Sequence, residues 1–257
     1  MTRNLSDLLQ KSLDAAQMDL IHRVADSASE LGFPLYIVGG LVRDLLLGRD
    51  GADFDLVVEG DAIRLARALA KKYGGKVTAH EKFGTAKIDI REWKMGISNH
   101  SLASIDLISS RSETYKHPVA LPTVSMGSIA DDLRRRDFTI NTLAIQLDDH
   151  HFGELRDDLG GEQDLENKIV RVLYPRSFVD DPTRIYRAAR YEQRYGFKIA
   201  EETLALIPEA RPLIDKLSAQ RIRHELDLIL EEPKAASMLK RLDELDLLKP
   251  IHATLLF

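Results

Sequence analysis

The run Leu35-Tyr36-Ile37-Val38 is four apolar residues long and stops at Gly39-Gly40. A run this short, bounded by glycine, reads as a buried strand. Leu41 to Leu47 then reads as a short helix closed by Gly48. A strand that passes into a helix through two glycines commits this part of the chain to an α/β arrangement. Asp53-Phe54-Asp55-Leu56-Val57-Val58 alternates and then runs apolar, which predicts a second strand. Asp61 is placed to cap a helix reaching Tyr73, and Gly74-Gly75 ends it. Strand-like pieces follow at 76–80, 85–90 and 102–108. Pro118 and Pro122 mark a loop, and Ser128 is placed to cap a helix entering Leu133-Arg134-Arg135-Arg136. Ahead of the first strand, residues 5–31 read as one helix, with Leu8, Leu9, Leu13, Leu20, Ile21 and Val24 near helical spacing. From about Glu162 the pattern is mostly helical, and Pro182 suits a first helical turn. The expectation is a small mixed α/β domain followed by a helical tail, with the boundary near 160–175.

Composition removes several classes of function. The 257 residues include no cysteine, which excludes a disulfide framework, thiolate metal ligation and a cysteine nucleophile. A chain of this length buries roughly 70–75% of its unfolded surface and needs no such staple. Lys and Arg total 36 against 41 Asp and Glu, a net charge of −5. That argues against a broad nucleic-acid surface and leaves room for a local basic groove. No stretch approaches the roughly 20 apolar residues of a membrane span. The N-terminus, MTRNLSDLLQKSLD, lacks the apolar core of a signal peptide. The expectation is a cytoplasmic protein with no membrane partner.

Three constellations can carry chemistry. Asp53 and Asp55 sit at i and i+2 on a strand and share one face, while Phe54 and Leu56 take the other. Paired carboxylates repel unless a cation or a proton lies between them, and their hard oxygens suit Mg²⁺. Asp106 has the same setting between Ile105 and Leu107. Three such carboxylates suit a two-metal site for phosphoryl transfer; on an edge strand they are equally a solvated face. Gly39-Gly40 before a helix offers free N–H groups to a phosphate, with Arg43 in the first turn, or serves turn geometry alone. Arg134-Arg135-Arg136-Asp137 is a charge run that leads into Phe138, Ile140 and Leu143, so part of it turns inward. An arginine there suits polyphosphate oxygens, and Asp137 or Asn141 suits a ribose hydroxyl. Finally, Arg184, Arg187 and Arg190 recur every three residues on one helix side. Asp181, a turn earlier, is placed to pair with Arg184. The group is either a basic helix face or an edge that reads a nucleobase. His150-His151 has no metal-ligand spacing, and Trp93 falls in a connecting loop.

Taken in order, these residues resemble a known family. Val38-Gly39-Gly40-Leu41-Val42-Arg43-Asp44 with Asp53-Phe54-Asp55 is similar to motif A of the class II tRNA nucleotidyltransferases and bacterial poly(A) polymerases, within the polymerase β superfamily. Arg135-Arg136-Asp137-Phe138-Thr139-Ile140-Asn141 resembles motif B. Gly160-Gly161-Glu162-Gln163-Asp164-Leu165, with Ile169 and Arg171, resembles motif C. Asp181-Pro182-Thr183-Arg184 resembles motif D, and Arg221-Ile222 with Glu225-Leu226 resembles motif E. Phe83-Gly84-Thr85-Ala86 also fits the family's head domain.

The resemblance implies an α+β fold: a polymerase β-like head with a mixed sheet (31–165, after a leading helix at 1–30), then an all-α neck (166–225) and the start of a body (226–257). It implies that Asp53, Asp55 and Asp106 hold Mg²⁺. Gly39, Gly40 and Arg43 meet the triphosphate. Arg136, Asp137, Asn141, Asp181, Arg184, Arg187 and Arg190 bind the nucleotide, with Asp181 and Arg184 pairing with the base of CTP or ATP. The implied activity is addition of CMP and/or AMP to a tRNA 3′ end, that is CCA, CC or A addition. Poly(A) synthesis and a non-catalytic RNA- or nucleotide-binding module are the alternatives, and no DNA partner is implied. Motif D departs from the usual Glu-Asp-x-x-Arg in its first acid, Asp180, which is one methylene shorter. The chain also stops soon after motif E, so much of the family's helical body and tail is expected to be absent.

Overall fold

In the computed structural model, which describes residues 3–49, 55–93 and 103–249, Asp14 divides the expected leading helix. The two parts are α1 (Ser6–Ser12) and α2 (Ala15–Glu30). The Asp14 carboxylate accepts from the Gln17 backbone at 2.7 Å, and the Gln17 side chain accepts from the Asp14 backbone at 2.9 Å. This reciprocal cap requires extended backbone at Asp14 (ψ 169°), which a continuous helix cannot contain.

The chain forms two units, each described by itself: 1–112, 124–136 and 141–161 make the first, and 113–123, 137–140 and 162–257 the second. In the first, β1 (Leu35–Val38), α3 (Gly40–Leu46), β2 (Asp55–Val58), α4 (Ala62–Tyr73), β3 (Val77–His80), β4 (Thr85–Asp89) and β5 (Ser104–Ser109) follow in order. β6 (Arg111–Thr114) and β7 (Thr123–Met126) fall at the two ends of segment 113–123, which belongs to the second unit, and α5 (Ile129–Arg134), β8 (Ala144–Gln146) and β9 (Leu155–Arg156) complete the first. The main sheet has seven strands in the order β3-β4-β5-β2-β1-β8-β9. Only β2 and β5 run parallel, and the other neighbours are antiparallel.

Period-2 alternation divides the sheet's two faces. Leu56, Val58, Ile105, Leu107, Ala86 and Ile88 are buried, and α4 packs across β3, β4 and β5 with α2 against it. On the other face Tyr36, Val38, Val57 and Ala144 cluster with Ile129 and Leu133 of α5. The expected caps form: Asp61 accepts from Arg64 N at 2.9 Å, and Ser128 makes a capping box with Asp131. Trp93 lies in the turn after β4, in a connection as expected. It is buried, and its indole donates to the Gly74 carbonyl at 3.0 Å. An aromatic this large contributes more as core than as loop.

In the second unit α6 (Gly161–Glu166), β10 (Ile169–Val170), α7 (Ser177–Asp180), α8 (Thr183–Tyr195), β11 (Lys198–Ile199), α9 (Glu201–Leu204), α10 (Ile207–Ala210), α11 (Ala219–Leu230) and α12 (Ala235–Glu244) follow. β10 and β11 form a short parallel pair. Helix α8 packs against α11 and α12, burying Ile185, Tyr186, Ala188 and Ala189 with Ile229, Met238 and Leu242. No helix among the described residues is long and apolar enough to cross a membrane.

Two glycines with positive φ differ in what surrounds them. A Cβ at Gly75 (φ +97°) would lie 2.1 Å from the Asp89 carbonyl, whereas one at Gly48 (φ +64°) would meet nothing within 4 Å. Gly48→Ala is therefore expected to cost only the backbone strain, about 1–3 kcal/mol, and Gly75→Ala distinctly more. Urea midpoints of the two variants check the order; equal midpoints would contradict it.

Candidate active site

Asp55 opens β2 and is exposed, while Leu56, Val57 and Val58 behind it are buried. The parallel register places Asp55 opposite Asp106 on β5, with Leu56 opposite Leu107. The two carboxylates therefore occupy one face on adjacent strands, roughly 5 Å apart in backbone. Asp106 is exposed, and Lys87 on β4, its partner on the other side, brings Nζ to 3.1 Å from its carboxylate. Two hard oxygen donors on one face, with an ammonium already drawn to one of them, fit a divalent cation. Asp53, the remaining carboxylate of the expected set, lies outside the described residues. Among the described residues no three His, Cys, Asp or Glu side chains group as metal ligands.

The glycine turn stands beside this row. β1 runs antiparallel to β2 and ends at Val38, next to Asp55. Gly39 has φ +68° and ψ −118°, backbone that suits only glycine. Arg136 reaches over it: a Cβ at Gly39 would lie 2.5 Å from Arg136 Nη1. Arg136 follows α5 and is anchored by Nη2 donating to Asp132 at 2.9 Å. Asp132 is fully buried and also takes two hydrogen bonds from Arg135. Arg43, on α3, is buried beneath Gly40. It donates twice to Asp44, at 2.9 Å each, and once to Asn141 Oδ1 at 2.6 Å. Asn141 thus holds Arg43, a role the sequence did not suggest.

The second unit holds the other expected residues: Asp137, Asp181, Arg184, Arg187 and Arg190. The three arginines do not form a solvated basic face. Arg184 is 3% exposed and Arg190 8%, and they part company along α8. Arg184 Nη1 donates to Ser177 Oγ at 2.8 Å and to the Tyr174 hydroxyl at 3.3 Å. Arg187 meets Asp137 and Asp181 at 3.1 Å and Glu225 at 3.2 Å. Asp181 does not take Arg184 as its close partner. It binds Arg187, Arg221 at 2.7 Å and the Thr183 hydroxyl at 2.5 Å. Burial alone would raise the Asp181 carboxyl, but Arg187, the Thr183 hydroxyl and Arg221 hold it below its ordinary range. Burial pushes Glu225 up despite Arg187 and Arg190, and pushes the Tyr115 hydroxyl up to about 12. Arg187 is driven further toward its charged form by Asp137, Glu225 and Asp181, which outweigh its own burial. Asp181, Arg187, Arg190, Arg221 and Glu225 line an open cavity of about 430 Å³.

Sequence reading missed Lys87, Asp132, Tyr174 and Ser177 as parts of these networks. Each lies near its motif in sequence, but nothing local marks it. Motif E did signal Arg221 and Glu225, without assigning them partners.

Comparison with known proteins gives the family of the chain. Residues 35–171 match the "Poly A polymerase head domain" family and residues 196–255 the "Probable RNA and SrmB- binding site of polymerase A" family. The chain is 43% identical, over 98% of its length, to an A-adding tRNA nucleotidyltransferase of Geobacter sulfurreducens, and covers 28% of that protein. It is 39% identical, over 94% of its length, to an A-adding tRNA nucleotidyltransferase of Halalkalibacterium halodurans, of which it covers 56%. The fold superposes on a Thermotoga maritima CCA-adding enzyme complexed with tRNA with a TM-score of 0.84 and 37% identity, covering 99% of this chain and 57% of that one. The chain thus spans little more than half, or less, of the relatives it matches.

The Asp181 network gives a pH dependence with a definite sign. A carboxyl held below its unfolded value of about 3.9 contributes stability above that value and loses it as pH falls through the lower folded value. Asp181→Asn is expected to be less stable than the parent at pH 7, and the gap to close below about pH 4. Thermal melts across pH 7 to 3 would show this; a gap independent of pH would contradict it.

Proposed function

The chain belongs to the family of class II tRNA nucleotidyltransferases and bacterial poly(A) polymerases, and on that premise we propose that it transfers nucleotides from ATP and/or CTP to the 3′ end of tRNA. The observation that carries this reading is the register of Asp55 against Asp106 beside Gly39 and Arg136. The relatives' A-adding names favour AMP as the nucleotide transferred. In this reading residues 31–165 are the catalytic head, 166–225 the nucleotide-reading neck and 226–257 the start of a body. The protein works in the cytoplasm.

Each group then has a task. Asp53, Asp55 and Asp106 would hold Mg²⁺, which when bound supplies a lowered pKa for a 3′-hydroxyl and charge neutralisation on the triphosphate. Gly39 admits a phosphate close to the backbone, and Arg136, anchored on Asp132, orients it from above. Arg43 adds positive charge fixed in place by Asp44 and Asn141, so little reorganisation accompanies binding. Asp181 and Arg184 would offer an acceptor and a fork of donors to a base edge, with Arg187 bound to Asp181 and Arg190 lining the same cavity. Asp137 would accept from a ribose hydroxyl. Catalysis by these residues is mostly positioning and charge stabilisation.

The test is single-nucleotide extension of tRNAs ending at the discriminator base, at C or at CC, with each NTP and Mg²⁺. Addition that stops after A is expected; long A tails would indicate poly(A) synthesis, and no transfer with retained NTP binding a non-catalytic module. Asp55→Ala and Asp106→Ala are each expected to abolish transfer with the fold intact, and near-normal turnover in either would refute the carboxylate assignment. Arg184→Ala is expected to change CTP/ATP discrimination more than overall NTP affinity.

A further inference from the structure

We propose that the open face of β3 and β4 is a track for the phosphate backbone of the RNA strand whose 3′ end reaches Asp106. The inference rests on the proposed transfer reaction and adds the direction from which the RNA arrives. One row of side chains crosses the sheet on the carboxylate face. From the end of β1 it runs through Asp55, Asp106, Lys87 and Thr78, each in register with the next. Gly39, with Arg136 over it, stands at the β1 end of that row. A phosphoryl group transfers with the attacking and leaving oxygens roughly in line. With the triphosphate at the β1 end, the attacking hydroxyl must approach from the other end, over β5 and β4.

That end carries the charge an RNA backbone needs. A groove of about 390 Å³ lies there, and Lys76, Thr78, Lys87, Asp89 and Arg91 line it. Three cations and one carboxylate line it, and a second carboxylate, Asp106, meets Lys87 from outside the lining, on a chain whose net charge is −5. Arg91 is paired with Asp89 and Lys87 with Asp106, whereas Lys76 is exposed and its ammonium has no hydrogen bond or ion pair among the described residues. From Asp106 to β3 is two strand spacings, roughly 10 Å. The groove is therefore one continuous surface with the carboxylates and holds the backbone just upstream of the reacting end. Phosphate contacts of this kind position a strand without reading its sequence.

The test compares the chain with Lys76→Gln and Lys76→Gln/Arg91→Gln, all checked for native circular dichroism. Binding of a labelled RNA minihelix with a single-stranded CC end is followed across salt concentration, and ATP and CTP binding is measured separately. The track requires weaker RNA binding, several-fold for the double variant. It also requires a salt slope shallower by about 0.7 for each phosphate left unneutralised, with NTP affinity unchanged. RNA affinity and slope that ignore both substitutions, or no RNA binding by the unsubstituted chain, would overturn the track while leaving NTP binding to support the transfer reading. Loss of RNA binding as predicted in a chain that binds no NTP would instead count against the transfer reading. Since Lys76 is exposed, Lys76→Gln alone decides the matter should the double variant fold poorly.

Discussion

Strand β2 runs parallel to β5, and its first residue, Asp55, lies opposite Asp106. A parallel pair needs a crossover, and here the chain makes it through α4, β3 and β4. Helix α4 settles on one face of the sheet, so the apolar parity of Leu56, Val58, Ile105 and Leu107 must turn toward it. Asp55 and Asp106 are then left on the other face. A slip of one residue would exchange the two sets and bury unpaired carboxylates. The same register fixes what flanks them: Gly39 and Arg136 at the β1 side, Lys87 at the β4 side.

The second unit solves a different problem, that of keeping opposite charges ordered along the wall of an open cavity. Arg187 alone would be costly to bury. It is surrounded by Asp137, Asp181 and Glu225, so that its guanidinium is met on several sides. Removing one partner of such a set leaves the rest uncompensated. Asp137 belongs to this set because it directly precedes Phe138, which is buried and paired through its backbone with Val172. Asp137 is thereby anchored by packing within its own unit.

The caps at Asp61 and Ser128, the glycine turn at 39–40 and the strand parity of Asp55 and Asp106 were legible because each depends on a few neighbouring residues. Asp14 was locally legible too, as its capping box with Gln17 shows, but the leucine periodicity running past it pointed to one helix. That Trp93 is buried within its loop was not legible, because its burial depends on Gly74 at the end of α4, with β3 and β4 between them in the chain. The helical spacing of Arg184, Arg187 and Arg190 suggested one shared face. In the structure Ser177 and Tyr174 draw the first away, while Asp137, Asp181 and Glu225 take the second.

The sequence by itself therefore determined the elements, their caps and which residue types can carry phosphate chemistry, since these follow from interactions within a turn or two of the chain. The tertiary structure alone decided that Asp55 faces Asp106 and that Lys87 stands beside it. It alone also decided that Asp181 answers to Arg187 and Arg221. Those pairings are selected by the burial of whole apolar faces, a quantity that no local stretch of sequence contains.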